Sequence, residues 1–236
     1  MDGQAPTSRR AVLRAVVLLG AGTVTGVTAC SSPQTPPPRA SPPRSASTAP
    51  VPGPISETAP GSTRILLAYF SRPGENYYYG GRTDLEVGNT QVLAEMISEL
   101  IDCDVHRIEA AEAYSDSYDA TVERNVREQE TDARPAIANP LASIEQYDTV
   151  LVGSPIWNVR APMIMSTFTE AHDFTGKTVY PFVTYAVSGL GSTERDYAAS
   201  CPGARIGQGL AVRGEEVREH RSDVEAWLSV TGLLTA

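Results

Sequence analysis

From residue 64 onward, unbroken apolar runs alternate with stretches in which apolar residues recur every three or four positions. Arg64-Ile65-Leu66-Leu67-Ala68-Tyr69-Phe70-Ser71 has the continuous apolar character of a strand covered on both faces. The next stretch, to Thr90, has little periodicity and reads as a loop. Val92, Leu93, Met96, Ile97, Leu100 and Ile101 then fall at helical spacing, with Asn89 or Thr90 placed to cap the helix. Cys103 to Ile108 alternates as a short strand, and Tyr118 to Thr131 predicts a polar surface helix. A second buried-type run, Thr149-Val150-Leu151-Val152, stops at Gly153-Ser154-Pro155, with Ile156 and Trp157 just beyond. Ala161 to Ala171 predicts a helix, Val179 to Val187 a strand and Arg195 to Ser200 a short helix. Ile206 to Val212 predicts the last strand, and Arg218 to Leu234 a closing helix. Such alternation predicts an α/β domain with a doubly wound, five-stranded parallel sheet and right-handed crossovers. In these sheets ligands sit outside the carboxyl ends of the strands, where the strand order reverses. Trp157, just past a strand end, is therefore expected to be a lid or stacking platform rather than core.

The first sixty residues follow none of this pattern. Ser8-Arg9-Arg10-Ala11-Val12-Leu13 reads as a twin-arginine export signature, and Ala15 to Ala29 is uncharged and apolar or small. At about fifteen residues that stretch is shorter than the ~20 that a membrane-spanning helix needs. It ends in Val27-Thr28-Ala29-Cys30, which resembles a bacterial lipobox. The expectation is a signal peptide over 1–29, cleavage before Cys30, lipidation of that cysteine and attachment to the outer face of the cytoplasmic membrane. Residues 30–62 are rich in Pro, Ser and Ala and too poor in apolar residues to order themselves, so they read as a disordered, extended tether. The folded domain is then expected over 63–236.

Charge narrows the partners. Of 28 acidic residues 26 lie in that domain, with 14 of the 19 basic ones, a formal charge of −12. Nucleic acid is excluded as a partner on this ground, because phosphate binding requires basic side chains that displace counterions. Cys103 and Cys201, the cysteines beyond Cys30, are too few for a disulfide scaffold or a cysteine metal site, and whether they pair is open.

Chemistry is concentrated after the first and third predicted strands. Ser71-Arg72-Pro73-Gly74 and Val87-Gly88-Asn89-Thr90 flank the opening of the first helix, where free backbone N–H groups and the helix dipole suit a phosphate. Taken alone, Asn89-Thr90 reads equally as a simple cap. Over Arg64 to Leu234 the chain resembles the flavodoxin-like FMN-binding family, whose sheet order is 2-1-3-4-5. The two segments resemble the family's Ser/Thr-rich phosphate loop, interrupted here by an insertion over Glu75 to Glu86. The resemblance assigns Ser71, Asn89 and Thr90 to phosphate contacts, with Arg72 beside them and Gly88 allowing close approach of the backbone. Within the insertion, Tyr77-Tyr78-Tyr79 is expected to cover the scaffold rather than the cofactor.

Pro155-Ile156-Trp157-Asn158 resembles the stretch that lines the isoalloxazine ring, with Asn158 standing where relatives carry Trp or Gly. Ser188-Gly189-Leu190-Gly191-Ser192 resembles the loop facing the pyrimidine side of the flavin, and reads equally as a turn. The resemblance implies an FMN protein for electron transfer or NAD(P)H-dependent reduction, with an acidic surround that lowers the flavin potential. Its redox partner or small-molecule acceptor is left open. His106, His172 and His220 lack metal-ligand spacing, so no metal is expected. Two alternatives remain. One is a hydrolase or phosphatase on the same fold, although Ser71 stands where a phosphatase Cys-x5-Arg loop would begin. The other is a binding module with a degenerate flavin site.

Overall fold

The computed structural model describes residues 64–234. The expected signal peptide, Cys30 and the tether lie outside the described residues. The first strand, β1 (Ile65–Tyr69), is followed by an antiparallel hairpin of β2 (Gly74–Tyr78) and β3 (Gly81–Leu85) in place of the expected loop. Next come α1 (Asn89–Ser98), β4 (Asp104–Arg107), α2 (Tyr118–Glu130) and β5 (Thr149–Pro155). The remainder is α3 (Met163–Glu170), β6 (Thr178–Tyr185), α4 (Thr193–Ser200), β7 (Arg205–Ile206) and β8 (Leu210–Arg213), then a 3₁₀ helix (Gly214–Glu219) and α5 (Arg221–Val230). The closing helix expected over Arg218 to Leu234 is thus shorter, with Arg218 and Glu219 belonging to the 3₁₀ helix.

The main sheet is parallel throughout, in the order β4-β1-β5-β6, with β7 and β8 both pairing with β6. This is the expected 2-1-3-4-5 order with its fifth strand broken in two. β7 pairs with Thr178 and Val179 and β8 with Phe182 to Tyr185, so Tyr180 and Pro181 have no partner in the fifth strand. Pro181 brings no N–H to a ladder. At the break, a Cβ on Gly207 would lie in the Tyr180 ring.

Gly153 does not end its strand, which continues to Pro155. It pairs with Phe182, and the missing side chain is where the Phe182 ring packs.

Because residues alternate across a strand, the sheet builds two cores. Leu66, Ala68, Phe70, Val150 and Val152 pack under α3 and α4, while Leu67, Tyr69, Leu151 and Phe182 pack under α1 and α5. Cys201 belongs to the first core and Cys103 borders the second, so the two thiols are unpaired and on opposite faces. α2 and the hairpin contribute to neither core.

The hairpin turns at Tyr79 and Gly80, with φ of 44° and 86°. Two positive φ values mark the type I′ turn that suits strand twist, where Asn or Gly is usual. Left-handed backbone at a tyrosine costs about 1–2 kcal/mol.

Candidate cofactor site

A cavity of about 380 Å³ opens at the carboxyl ends of β1 and β5, where the sheet order reverses. It brings together two segments far apart in sequence: Ser71, Arg72, Asn89 and Thr90 at one end, and Pro155, Ile156, Trp157 and Asn158 along another wall.

The first end is suited to an anion. The N-cap of α1 is Gly88, which has no side chain to cap with, so Asn89 and Thr90 are the first helical residues rather than the cap. Ser71 substitutes, its hydroxyl accepting the Gln91 N–H at 3.1 Å. The Asn89 and Thr90 N–H groups are the first of the helix and have no intrahelical acceptor. A Cβ on Gly88 would lie 2.5 Å from the Arg72 carbonyl oxygen. Gly88 is therefore required for the packing of α1 onto the Ser71 loop, and it does not itself border the cavity. Thr90 and Thr184 share a buried hydrogen bond of 2.7 Å that ties this end of α1 to the end of β6.

Arg72 is 8% exposed and borders the cavity. Its Nη1 donates to the carbonyls of Ser115 at 2.8 Å and Asp116 at 3.2 Å, and its Nη2 to the Glu75 carbonyl. Nε is buried without a protein partner. Burial lowers the Arg72 pKa from its ordinary value, against the opposing charges of Asp116 and Glu75; arginine nevertheless keeps its charge in proteins. Arg72, Asn89 and Thr90 border the same cavity, and a cation with open helix amides is a donor set for a phosphate monoester.

The second wall is aromatic and apolar. Trp157 borders the cavity and also stands edge-on to Phe70 at 5.7 Å and Tyr114 at 5.1 Å, so it is at once cavity wall and core neighbour. Tyr114 donates to Glu128 at 2.9 Å, and burial followed by that carboxylate raises its pKa. Asn158 has a φ of +49°, a conformation Asn tolerates better than most residues. Its amide donates to Gln129 at 3.0 Å, and Gln129 donates back to the Trp157 carbonyl at 3.2 Å. The Trp157 loop is thereby fixed to α2.

Several cavity residues escaped the reading of the sequence. Tyr118, Thr121, Val122, Asn125 and Val126 of α2 all border the cavity. Their spacing of three and four places them on one helix face, a stripe legible in the sequence but without a core to explain it. Asn76 and Tyr77 of the hairpin, Thr184 to Ala186 at the end of β6, and Gly214 with Glu215 complete the lining. Tyr77 thus borders the cavity rather than only covering the scaffold. Ser188 and Gly189 do not border it. Their loop turns instead toward Val159, whose carbonyl accepts the Ser192 N–H at 2.9 Å, and Tyr185 and Ala186 border the cavity.

A phosphatase nucleophile is not found among the described residues. Ser71 is engaged as a helix cap. The Cys201 thiol is 1% exposed and pushed up to about 11 by burial, the reverse of an activated thiolate.

Comparison with known proteins bears on the family and the fold. Residues 84–230 match the model of the flavodoxin family. A protein of Bacteroides eggerthii DSM 20697 designated a flavoprotein is 29% identical with a TM-score of 0.59, covering 72% of this chain and 99% of its own. Another so designated, from Bacteroides uniformis ATCC 8492, is 30% identical with a TM-score of 0.56, covering 71% and 98%. A flavoprotein of Lactobacillus acidophilus NCFM solved in complex with FMN is 18% identical with a TM-score of 0.49, covering 67% and 98%. No curated protein matches. With the matched residues spanning more than half of the sequence and the strand order of the sheet in agreement, the chain belongs to the flavodoxin family of FMN-binding proteins.

Proposed function

We propose that this cavity holds FMN, with its phosphate at Ser71, Arg72 and the first turn of α1 and its ring along Trp157 and the α2 face. The protein then serves electron transfer or NAD(P)H-dependent reduction. The observation that carries this reading is the convergence of a phosphate-type helix start and an aromatic loop on one cavity at the switch point.

When bound, FMN supplies the redox chemistry. The chain's own residues bind and orient it. Ser71 and the α1 amides hold the anionic end, and Arg72 balances charge there from a buried position. Trp157, held by Gln129 and backed by Phe70 and Tyr114, gives a rigid aromatic wall. α2, which has no place in either core, excludes water from the cavity's far side. Glu215 borders the same cavity within a domain of formal charge −12, so added negative charge on the cofactor is disfavoured and the potential lowered.

The reading extends to location: the Ser8-Arg9-Arg10 signature, Cys30 and the tether support export of a folded, cofactor-loaded domain anchored by lipid at the outer face of the cytoplasmic membrane. Replacing Cys30 by Ser should move the protein from the membrane fraction to the soluble one. For the cofactor, the purified protein is titrated with FMN and its absorbance and fluorescence followed. Absence of bound flavin after FMN addition would overturn the reading. Reduction of the bound flavin by NADH or NADPH separates an enzyme from a carrier.

A further inference from the structure

The β2–β3 hairpin lies between two walls of the cavity. At its root, Arg72 bonds the Glu75 carbonyl, and the Glu75 carboxylate accepts the Tyr118 N–H at 3.0 Å. Arg82 sits over the Tyr118 ring at 3.9 Å and bonds Asp119 at 2.9 Å. At its tip, the Tyr79 N–H donates to Glu215 at 3.3 Å and the Tyr79 hydroxyl to Glu216 at 3.0 Å, both on the 3₁₀ helix. Between root and tip, Asn76 and Tyr77 border the cavity, as do Tyr118 on one side and Glu215 on the other. The hairpin is therefore a strap from the α2 wall to the 3₁₀ wall at the phosphate end.

We propose that this strap is part of the cofactor site and that the contacts of Tyr79 with Glu215 and Glu216 form a latch controlling exchange of FMN. The proposal rests on the assignment of FMN to the cavity. No residue from Pro73 to Val87 is buried, and a two-stranded hairpin without an apolar core has little stability of its own. Such a segment opens at low free-energy cost compared with the sheet beneath it. The tip residue supports the latch independently: a type I′ turn calls for Asn or Gly, yet Tyr stands there, and its exposed phenol reaches across to the opposite wall. The Tyr79 hydroxyl and then His220 hold the Glu216 carboxyl below its ordinary range, as expected for a carboxylate that accepts hydrogen bonds. Tyr79 is a positioning residue, acting through the strap and not through contact with the reacting ring.

The test is the rate of FMN binding and release by the full chain, followed by flavin fluorescence, for wild type, Tyr79→Phe and Tyr79→Ala. Tyr79→Phe removes one hydroxyl and changes no charge at neutral pH. Release should accelerate about threefold to tenfold in Tyr79→Phe, the size of one hydrogen bond, and further in Tyr79→Ala. The melting temperature of the apoprotein should be unchanged. If association accelerates equally and leaves Kd unaltered, the strap gates exchange without adding affinity, which also supports the proposal. Release rates equal to wild type in both variants would overturn it. Failure of wild type itself to bind FMN would overturn the cofactor assignment instead, so the two failures are distinct.

Discussion

At the residue scale, the cavity contains side chains that each do two things. Ser71 caps α1 through Gln91 and lies at the anion end. Ser71→Ala should therefore cost about 1 kcal/mol of stability through the lost cap. It should also weaken FMN more than riboflavin, which lacks the phosphate; equal loss for both ligands in parallel titrations would remove Ser71 from the phosphate site. Trp157 is similar. Its two edge-on contacts with Phe70 and Tyr114 contribute about 2 kcal/mol together. Trp157→Ala should thus lower both FMN affinity and stability, measured by titration and urea unfolding. This modifies the expectation of a lid or stacking platform rather than core, because the sequence shows Trp157 past a strand but not the rings it touches. Asn158 is legible in retrospect: its place in a left-handed turn suits Asn, and its amide is used in fixing α2. Val159 beside it has a φ of +64° and is 56% exposed, a strained conformation for a β-branched residue.

At the element scale, α2 separates the roles of stability and binding. It lies outside both cores, while five of its residues border the cavity. Val126→Ser, at a position 38% exposed, should leave the unfolding free energy from urea titration within about 0.5 kcal/mol of wild type. FMN affinity should fall, and an unchanged Kd would show that the α2 face does not touch the ligand. Most elements were readable from periodicity, including α1, β5 and the alternation that makes the sheet parallel, while the strand order was implied by the family resemblance. The hairpin was not. Its strands make no core contact, so no apolar alternation marks them, and only Tyr79-Gly80-Gly81 signals a turn. The break between β7 and β8 was also invisible, since it depends on Pro181 and Tyr180 of the neighbouring strand.

At the scale of the whole molecule, pH tests how the elements pack. His106 of β4 and His172 after α3 flank Phe168, at 6.3 Å and 5.1 Å from its ring. Burial lowers the pKa of both from 6.5, and the charge of His172 adds to the effect at His106. Unfolded histidines then take up protons first, so stability is full above pH 6.5 and is lost as pH falls through the lowered folded values. His220, raised by Asp223 and Glu216, has the opposite sign, but it is the more exposed contact. The urea midpoint should fall between about pH 7.5 and 5.5, and His106→Gln with His172→Gln should flatten that fall; an unchanged slope would contradict the packing. The amino-acid sequence by itself determined the periodic elements, the parallel character of the sheet and the two segments that meet at the cavity. These follow from local periodicity and from residue types whose chemistry is fixed wherever they stand. The tertiary structure alone decided that α2 faces the cavity, that the Ser188 loop turns away, that Gly88 makes room for Arg72 and that a hairpin borders the cavity. Each of these depends on which surfaces meet in space, and contact between distant segments leaves no period in the chain.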